Sequence, residues 1–344
     1  MVRTYPASIG GSGIISHGNT ALLELVRPSV NFELVFFNAA HNTTRVIQSN
    51  VPGGVDLIPL ESTFAGGSYF LPWVNYSTGN ETWEKVSASG VVSTVNLPLG
   101  RGQFWDFIYG DHDSFYASSG VYLVEINATT LKIASNLTKL VPPSVSVNAV
   151  LPIADRLYLA GYQTLSATSS RAYFGYLNLP TKKVVMISKS MPVYSGNLFP
   201  VFQELISLRN EVYVGGSVTY ETASPFMLST NGTYFYRYVP STSTFHDLSS
   251  LVPNATWGVF AIEPWGHTIA LSLFGFEASQ TSNYWISTVY TLSSSGTGLL
   301  NQTSVLPSGF WANNALPWGT AASNGWFFQI GYRDLVPAVV AVET

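Results

Sequence analysis

Acidic side chains are the residues of this chain that could carry out hydrolysis. Two carboxyl groups that flank a glycosidic bond can act as its acid and its base. Asp56, Asp106 and Glu204 lie on or near segments that read as strands. Nothing else in the sequence marks them, and a hydrogen-bonded structural role is the commoner one for a carboxyl in such a place. A glycoside-acting enzyme stays open as an alternative, and we assign no catalytic residue.

Asp111-His112-Asp113 is the densest run of metal-ligand side chains in the sequence. Two carboxylates beside an imidazole could hold a divalent ion. The run lies between two short strand-like segments, where aspartate ordinarily forms a tight turn. The other four histidines are scattered, without the spacing of a zinc motif. The sequence predicts no metal site and no cofactor.

Aromatic, amide and guanidinium side chains form a third group, and they suit carbohydrate binding. Aromatic rings stack on the C–H faces of sugars, while sugar hydroxyls need polar partners. Trp73, Tyr76 and Tyr220 fall in polar stretches that read as long loops. The competing interpretation is that the tryptophans pack in the core. The predicted ligand-binding residues lie in or beside the connections between repeats: Arg101, Gln103, Trp105, Tyr194, Asn197, Trp257 and Trp311.

The segments that must position these residues form a repeat. Helical periodicity is nearly absent, and short β-branched and aromatic runs recur between turn residues. Successive repeats end 46, 44, 50, 61 and 54 residues apart, close to the period of a four-stranded propeller blade. Each repeat ends on an apolar residue followed by proline: Val51-Pro52, Leu97-Pro98, Val141-Pro142, Met191-Pro192, Val252-Pro253 and Leu306-Pro307.

The two ends of the chain complete the blade count. Residues 308–344 offer only three strand candidates, whereas four follow the segment Val2–Tyr5 in the first repeat. If residues 2–5 join the last blade as its outer strand, they satisfy the backbone groups of an open edge. The sequence therefore predicts an all-β chain with one domain over residues 1–344. Its fold is a seven-bladed β-propeller of four-stranded antiparallel blades, closed by the N-terminal strand.

One repeat resembles a kelch repeat. Gly215-Gly216 stands at the end of its second strand, and Tyr238 and Phe245 bracket the turn between its third and fourth strands. The preceding repeat echoes this pattern with Ala160-Gly161 and Tyr176. The resemblance implies a propeller across nearly the whole chain and carries over no functional residue. It also implies that inter-blade connections and second-to-third loops share the face where propellers usually bind.

Composition restricts the partners. Charged residues are 10% of the chain, against roughly 25% in an average soluble protein, and the net charge is −4 without a basic run. Nucleic acid is therefore not an expected partner. The apolar runs are too short to insert into a membrane. Residues 1–6 lack the apolar region of a signal peptide, so we expect a removed leader or another exit route, for instance inside a virus particle.

Glycosylation sequons and surface composition suggest a place outside the cytoplasm. Eight asparagines precede x-Ser/Thr, about twice the number expected by chance. A cysteine-free surface rich in Tyr, Ser, Thr and Asn resembles surface proteins of thermoacidophilic archaea or their viruses, since hydroxyls and amides do not lose charge in acid. The predicted acceptors are Asn42, Asn75, Asn80, Asn127, Asn136, Asn231, Asn254 and Asn301.

These features predict a non-enzymatic binding or structural module at the cell surface. Its expected partner is a glycan or a glycosylated surface protein, with self-assembly into a larger surface or virion assembly left open. The first alternative is a surface or receptor-binding protein of an archaeal virus particle. The second alternative is the glycoside-acting enzyme described above.

Overall fold

The structure, a computed structural model, describes residues 2–4, 11–25, 33–51, 57–59, 62–75, 78, 80–97, 107–196, 198–220, 230–254, 258–276, 285–302, 310–312, 320–333 and 336–343. The chain divides into two compact units. Unit 1 comprises Met1–Ser119, Val124–Asn136 and Ser304–Thr344, and unit 2 comprises Gly120–Leu123 and Leu137–Thr303. Within the described ranges, the regular structure is β-strand apart from two short 3₁₀ helices, Thr138–Leu140 and Ser249–Leu251.

Unit 1 holds blades 1, 2 and 7 and most of blade 3. Blade 1 comprises β2 (Gly11–His17), β3 (Thr20–Leu25), β4 (Glu33–Asn38) and β5 (Thr43–Gln48). Blade 2 comprises a first strand in two parts, β6 (Leu57–Pro59) and β7 (Thr63–Ala65), then β8 (Ser68–Asn75), β9 (Asn80–Ser87) and β10 (Val92–Val95). Blade 3 comprises β11 (Phe107–Asp111), β12 (Ser114–Ser119), β13 (Tyr122–Asn127) and β14 (Ile133–Asn136).

Blade 7 is built from both ends of the chain. Its first strand is again in two parts, β28 (Phe310–Ala312) and β29 (Thr320–Ser323), followed by β30 (Trp326–Arg333) and β31 (Val336–Glu343). The N-terminal strand β1 (Val2–Thr4) pairs antiparallel with β31, in the register Val2↔Val340 to Thr4↔Ala338. This pairing confirms that the N-terminal segment is the outermost strand of the last blade. Tyr5 lies outside the described residues.

Unit 2 holds blades 4, 5 and 6. Blade 4 comprises β15 (Val145–Ile153), β16 (Arg156–Ser166), β17 (Ser169–Asn178) and β18 (Lys183–Met186), with the short β19 (Tyr194–Ser195) also pairing with β17. Blade 5 comprises β20 (Leu198–Leu208), β21 (Glu211–Tyr220), β22 (Thr230–Val239) and β23 (Thr244–Asp247). Blade 6 comprises β24 (Gly258–Trp265), β25 (Thr268–Phe276), β26 (Trp285–Leu292) and β27 (Leu299–Asn301). Seven four-stranded antiparallel sheets make the fold the predicted seven-bladed β-propeller.

The core of each unit lies between the faces of adjacent blades. In unit 1, Phe70 of blade 2 packs on Phe115 of blade 3 with ring centroids 4.6 Å apart. In unit 2, Tyr213 and Phe235 of blade 5 pack with Ile262 of blade 6. Both faces of a blade are thus covered, so a middle strand such as β8 is buried over consecutive residues, 68–74, and does not alternate.

The apolar residue that ends a repeat also belongs to this core. Val51, Val141, Met191 and Val252 are all buried. Val51 packs against residues of blades 1 and 2, and Val252 packs against residues of blades 5 and 6. The closing residue therefore fills the space between its own blade and the next one. The proline that follows suits the end of an edge strand, because it has no N–H to donate.

In blades 3, 4 and 5, a hydroxyl group three residues before the closing residue hydrogen-bonds to the third strand. The Oγ of Ser188 accepts a hydrogen bond from the Phe174 N–H (2.7 Å) and donates one to the Ala172 carbonyl (3.2 Å). Ser249 bridges the N–H and carbonyl of Phe235 in the same way, and Thr138 bridges those of Leu123. The hydroxyl thus replaces the ladder partner that the third strand loses where the fourth strand ends.

The first strands of blades 1, 4, 5 and 6 contain a bulge, which in blades 4 and 5 explains the glycine of the kelch-like pattern. Pairing shifts by one residue between Val147 and Ala149 in β15 and between Phe202 and Glu204 in β20. Opposite these bulges stand Gly161 and Gly216, where an added Cβ would lie 2.0 Å and 2.1 Å from backbone carbonyl oxygens of the first strand. Only glycine fits such a close backbone approach.

Candidate functional site

The predicted ligand-binding residues are only partly covered by the structure. Tyr194 is half-buried on β19, where it pairs with Ser170 of β17. Trp311 belongs to β28 and pairs with Tyr332, and its side chain is not described. The assignment of these residues to a binding face stays a prediction. Five of the seven lie outside the described residues: Arg101, Gln103, Trp105, Asn197 and Trp257.

The placement of Trp73 in a long, exposed loop is wrong. Strand β8 continues to Asn75, and Trp73 is fully buried within it. Its Nε1 donates a hydrogen bond to Glu84 Oε2 at 3.0 Å. Both faces of this strand are covered by neighbouring blades, so the ring is part of the core. Tyr76 lies outside the described residues, and Tyr220 is the last residue of β21.

The Asp111-His112-Asp113 run forms the turn between β11 and β12, as predicted. The carbonyl of His112 accepts a hydrogen bond from Gly66 N at 2.6 Å, and that of Asp113 accepts one from Ala128 N at 2.9 Å. The turn therefore joins blade 3 to blade 2 through its backbone. Within the ranges that the structure describes, no three His, Cys, Asp or Glu side chains are grouped so that they could hold a metal ion.

Of the three carboxyl groups considered for hydrolysis, Glu204 alone is described. It follows the bulge of β20, and burial raises the pKa of its carboxyl well above the usual range. The carboxyl of Glu263 on β24 raises that pKa further. Two interacting acidic groups thus come from the first strands of blades 5 and 6. Asp56 and Asp106 lie outside the described residues.

Unit 1 contains a buried acidic cluster, defined as Glu24 and Glu84. Glu84 accepts hydrogen bonds from Ser49 Oγ (2.8 Å), the Asn50 N–H (2.6 Å) and Trp73 Nε1. It thereby ties the end of blade 1 to blade 2. Burial raises the pKa of Glu84, and its hydrogen bonds lower it in part.

The other member of the cluster, Glu24, is also fully buried. It accepts a hydrogen bond from Ser62, and an added Cβ at Gly13 would lie 2.8 Å from its Oε2. Burial raises the pKa of Glu24 to about 8, with Ser62 lowering it and Glu84 raising it. Both members of the cluster are enclosed and accept hydrogen bonds from neighbouring segments, so the role of the cluster is to join strands.

A pocket of about 200 Å³ opens instead at the turns of blades 5 and 6. Its walls come from the β20–β21 turn, the β24–β25 turn and the β26–β27 loop. Arg209 and Asn210 have φ of 54° and 62°, the left-handed geometry of the tight hairpin turn that matches strand twist. Arg209 Nη2 donates to the His267 carbonyl at 2.7 Å, which links the two hairpins.

Arg237 forms the floor of this pocket, which we call the Arg237 pocket. Its Nη1 lies 3.8 Å from Glu211 Oε2, and the Tyr213 hydroxyl donates to that same oxygen at 2.9 Å. Burial, and after it Glu211, raises the pKa of Tyr213 to about 12, so this hydroxyl remains a donor. Arg237 Nε is buried without a hydrogen-bond partner among the described residues.

A loop of serines and glycines covers one side of the pocket. Ser293 Oγ accepts a hydrogen bond from Gly298 N at 3.1 Å and lies 3.1 Å from Ser295 Oγ. Gly296 has a φ of 71°, which favours glycine, and lies close to Arg237 Nη1. Guanidinium and hydroxyl donors therefore surround one cavity. The lining residues are Leu208, Arg209, Glu211, Tyr213, Arg237, His267, Thr268, Leu292, Ser293, Ser294, Ser295 and Gly296.

Sequence reasoning missed this pocket because it assigned binding to the opposite end of the blades. First-to-second and third-to-fourth turns leave a blade together, away from the inter-blade connections. The sequence signal that could have indicated the pocket is a set of polar residues in the turns of two consecutive blades. These residues are Arg209, His267 and the Ser293–Ser295 run.

The sequons lie mostly at accessible positions. Asn75 is the last residue of β8, the second strand of blade 2. The Oδ1 atoms of Asn75 and Asn127 accept backbone N–H groups of the turns that follow. Asn231 lies on β22, and its side chain is not described. The exposed sequon asparagines are Asn42, Asn80, Asn136, Asn254 and Asn301.

Comparison with known proteins yields similarity of fold only. No family model and no curated protein sequence matches the chain. The β-propeller domain of the Trilobed protease from Pyrococcus furiosus superposes with a TM-score of 0.61 at 9% identity, over 99% of this chain and 96% of that one. An extracellular domain of a one-component system from B. thetaiotaomicron has a TM-score of 0.61 at 12% identity, over 98% of this chain and 40% of that one. The GH74 enzyme of Niastella koreensis has a TM-score of 0.60 at 12% identity, over 96% of this chain and 52% of that one.

This chain therefore spans about half the length, or less, of the last two proteins. Propellers similar to it occur in an extracellular domain, a glycoside hydrolase and a protease. In the part of the chain that is described, no helix has the length and apolar character needed to cross a membrane.

Proposed function

We propose that this protein is a non-catalytic binding propeller that recognises a glycan, or a glycosylated surface protein, through the Arg237 pocket. The observation that carries the proposal is the pocket itself, a cavity of about 200 Å³ ringed by guanidinium and hydroxyl groups. Pockets for drug-sized ligands have volumes of roughly 300–1,000 Å³, so this smaller cavity suits a group the size of one sugar ring. Sugar hydroxyls need polar partners, and Arg237, Ser295 and Tyr213 offer them.

The charges in the pocket favour binding over hydrolysis. Glycosidases place two carboxyl groups on opposite sides of the bond that they cleave. Glu211 is the single acidic residue among the described residues that line this pocket, and Tyr213 and Arg237 already engage it. A sugar held here would meet donors and no second carboxyl group.

We place the protein at the cell surface, with a virion surface as the alternative. Five exposed sequon asparagines support this placement, because a bulky glycan needs an exposed site. The similar extracellular domain is in line with it. Intact-mass and peptide mass spectrometry of native material should find glycans on some of these five residues. Five bare asparagines would remove this support.

Binding assays on the full chain can compare the two candidate faces. We expect Ser295→Phe, which fills the Arg237 pocket, to weaken attachment to a glycan array at least tenfold while the melting temperature stays unchanged. Trp257→Ala, on the inter-blade connections, should keep attachment. The proposal is wrong if Trp257→Ala abolishes attachment and Ser295→Phe does not.

A glycoside-acting enzyme is the second candidate, and Glu204 with Glu263 favours it. A carboxyl with a raised pKa next to a second carboxyl can act as a general acid. Turnover of a glycan panel by the wild-type chain, abolished by Glu204→Gln, would support this candidate over the binding function.

A further inference from the structure

We infer that the sugar group held in the Arg237 pocket is negatively charged, a carboxylate or sulfate of an acidic sugar. This inference rests on the proposed function and specifies its ligand. Arg209 and Arg237 line the pocket, against Glu211 as the single acidic residue among its described lining residues. The pocket is therefore locally cationic in a chain whose net charge is −4. Such a local excess of positive charge attracts an anion.

Arg237 is only partly paired by the protein, through Tyr213 and Glu211. Its Nε is buried without a partner, and its Nη1 is 3.8 Å from Glu211 Oε2, beyond hydrogen-bond distance. The Tyr213 hydroxyl holds that carboxylate oxygen at 2.9 Å, so Glu211 is shared. The Arg237 side chain lines the pocket and is 27% exposed. An anionic oxygen is the strongest acceptor for a guanidinium group without a close carboxylate partner.

Arg171 shows what a fully paired arginine looks like in the same unit. Like Arg237 it lies on a third strand, β17 of blade 4. Its Nε and Nη2 both donate to Gln163 Oε1, at 3.0 and 2.8 Å, and its Nη1 donates to the Lys189 carbonyl at 3.2 Å. Arg171 therefore provides a matched control, since it carries the same charge without an open donor.

The β26–β27 loop supplies donors for the remaining oxygens of an anion. Ser295 lines the pocket, and its hydroxyl lies 2.7 Å from Thr297 Oγ1 and 3.1 Å from Ser293 Oγ. A hydroxyl in such a chain can rotate to donate to a ligand. A carboxylate or sulfate presents several acceptor oxygens, and so can meet Arg237 and this loop together.

Titration calorimetry of the full chain with four probes tests the inference: glucuronic acid, glucose 6-sulfate, glucose and inorganic sulfate. We expect an acidic sugar to bind at least tenfold more tightly than glucose, and the preference to weaken at high salt. Arg237→Gln should remove the preference, Arg237→Lys should keep part of it, and Arg171→Gln should leave it intact. Melting temperatures show whether each variant is folded.

The possible results of this experiment distinguish the anion inference from the proposed glycan-binding function. Glucose binding as tightly as glucuronic acid, with Arg237→Gln unchanged, overturns the anion inference and leaves the glycan function standing. Inorganic sulfate binding as tightly as glucose 6-sulfate supports an anion site and contradicts a glycan site. If no probe binds, or binding persists in Ser295→Phe, both the inference and the pocket assignment are wrong.

Discussion

Glu84 in the acidic cluster of unit 1 and Arg237 in the pocket of unit 2 are both ionisable side chains that the fold partly or fully encloses, and they differ in how completely the protein pairs them. Glu84 accepts three hydrogen bonds from side chains and backbone of blades 1 and 2. Arg237 has a single ion pair among the described residues, 3.8 Å long, and lines a cavity. An ionisable group whose hydrogen bonds are made by neighbouring strands holds those strands together, whereas one that is partly paired and lines a cavity is available to a ligand.

Replacing Glu84 should have the largest effect on stability. Glu84→Ala leaves the Trp73 indole N–H, the Ser49 hydroxyl and the Asn50 N–H without their acceptor in a buried place. We expect a loss of about 3–5 kcal/mol in the free energy of unfolding, measured by chemical denaturation. Glu125→Ala, which removes a half-buried acceptor of Ser114, should cost about 1 kcal/mol. Equal costs for the two variants would contradict the structural role of the cluster.

The acidic cluster should also make the protein more stable in acid. The pKa of Glu24 is raised from 4.5 to about 8, so between these values the folded state binds more protons than the unfolded state. Stability contributed by Glu24 is therefore fully present below pH 4.5 and is lost as pH rises towards 8. We expect a decrease on the order of 2–4 kcal/mol across this range, flattened by Glu24→Gln. Stability that rises over the same range would contradict this account.

Replacing the hydroxyl groups that hydrogen-bond to the third strands should have intermediate effects on stability. Ser188 is buried and makes two backbone hydrogen bonds, so Ser188→Ala should cost about 1–2 kcal/mol. Ser190→Ala, at a neighbouring exposed position, should change stability by less than about 0.5 kcal/mol. Thermal unfolding of the two variants side by side measures the difference. A neutral Ser188→Ala would show that these contacts do not stabilise the blade.

Arg237 itself should have the smallest effect on stability. Its one ion pair is 3.8 Å long and partly exposed, so Arg237→Gln should change the free energy of unfolding by less than about 1 kcal/mol. Arg171→Gln removes three short hydrogen bonds and should cost more. If Arg237→Gln destabilises the protein more than Arg171→Gln does, the claim that Arg237 is less completely paired by the protein is wrong.

The blade count could be predicted because its signals are local. The signal for the end of a blade is an apolar residue followed by proline, which can be recognised within a short stretch of sequence. Val51 and Val252 show why the residue must be apolar, because both are buried between adjacent blades. Bulges and split first strands escaped prediction, since they depend on a partner strand: the Gln203 bulge exists where β20 passes Gly216. The hydroxyl three residues before the closure, as at Ser188 and Ser249, is a local signal that can be read in similar sequences.

The candidate site was less predictable, for a physical reason. Aromatic residues indicate core and binding surface equally well, and Trp73 turned out to be core. The Arg237 pocket depends on the turn residue Arg209, the strand residue Arg237 and the loop residue Ser295. They meet only because blades 5 and 6 pack side by side. Nothing in the sequence near any one of them marks such a cavity.

The most direct test of the binding account is a crystal structure of the full chain with bound glucuronic acid. The account predicts the sugar in the Arg237 pocket, with its carboxylate within hydrogen-bond distance of the Arg237 guanidinium group and of the Ser293–Gly298 loop. A sugar bound instead at the inter-blade connections near Trp105 or Trp257 would contradict it. So would an empty Arg237 pocket in crystals grown at sugar concentrations that saturate binding in solution.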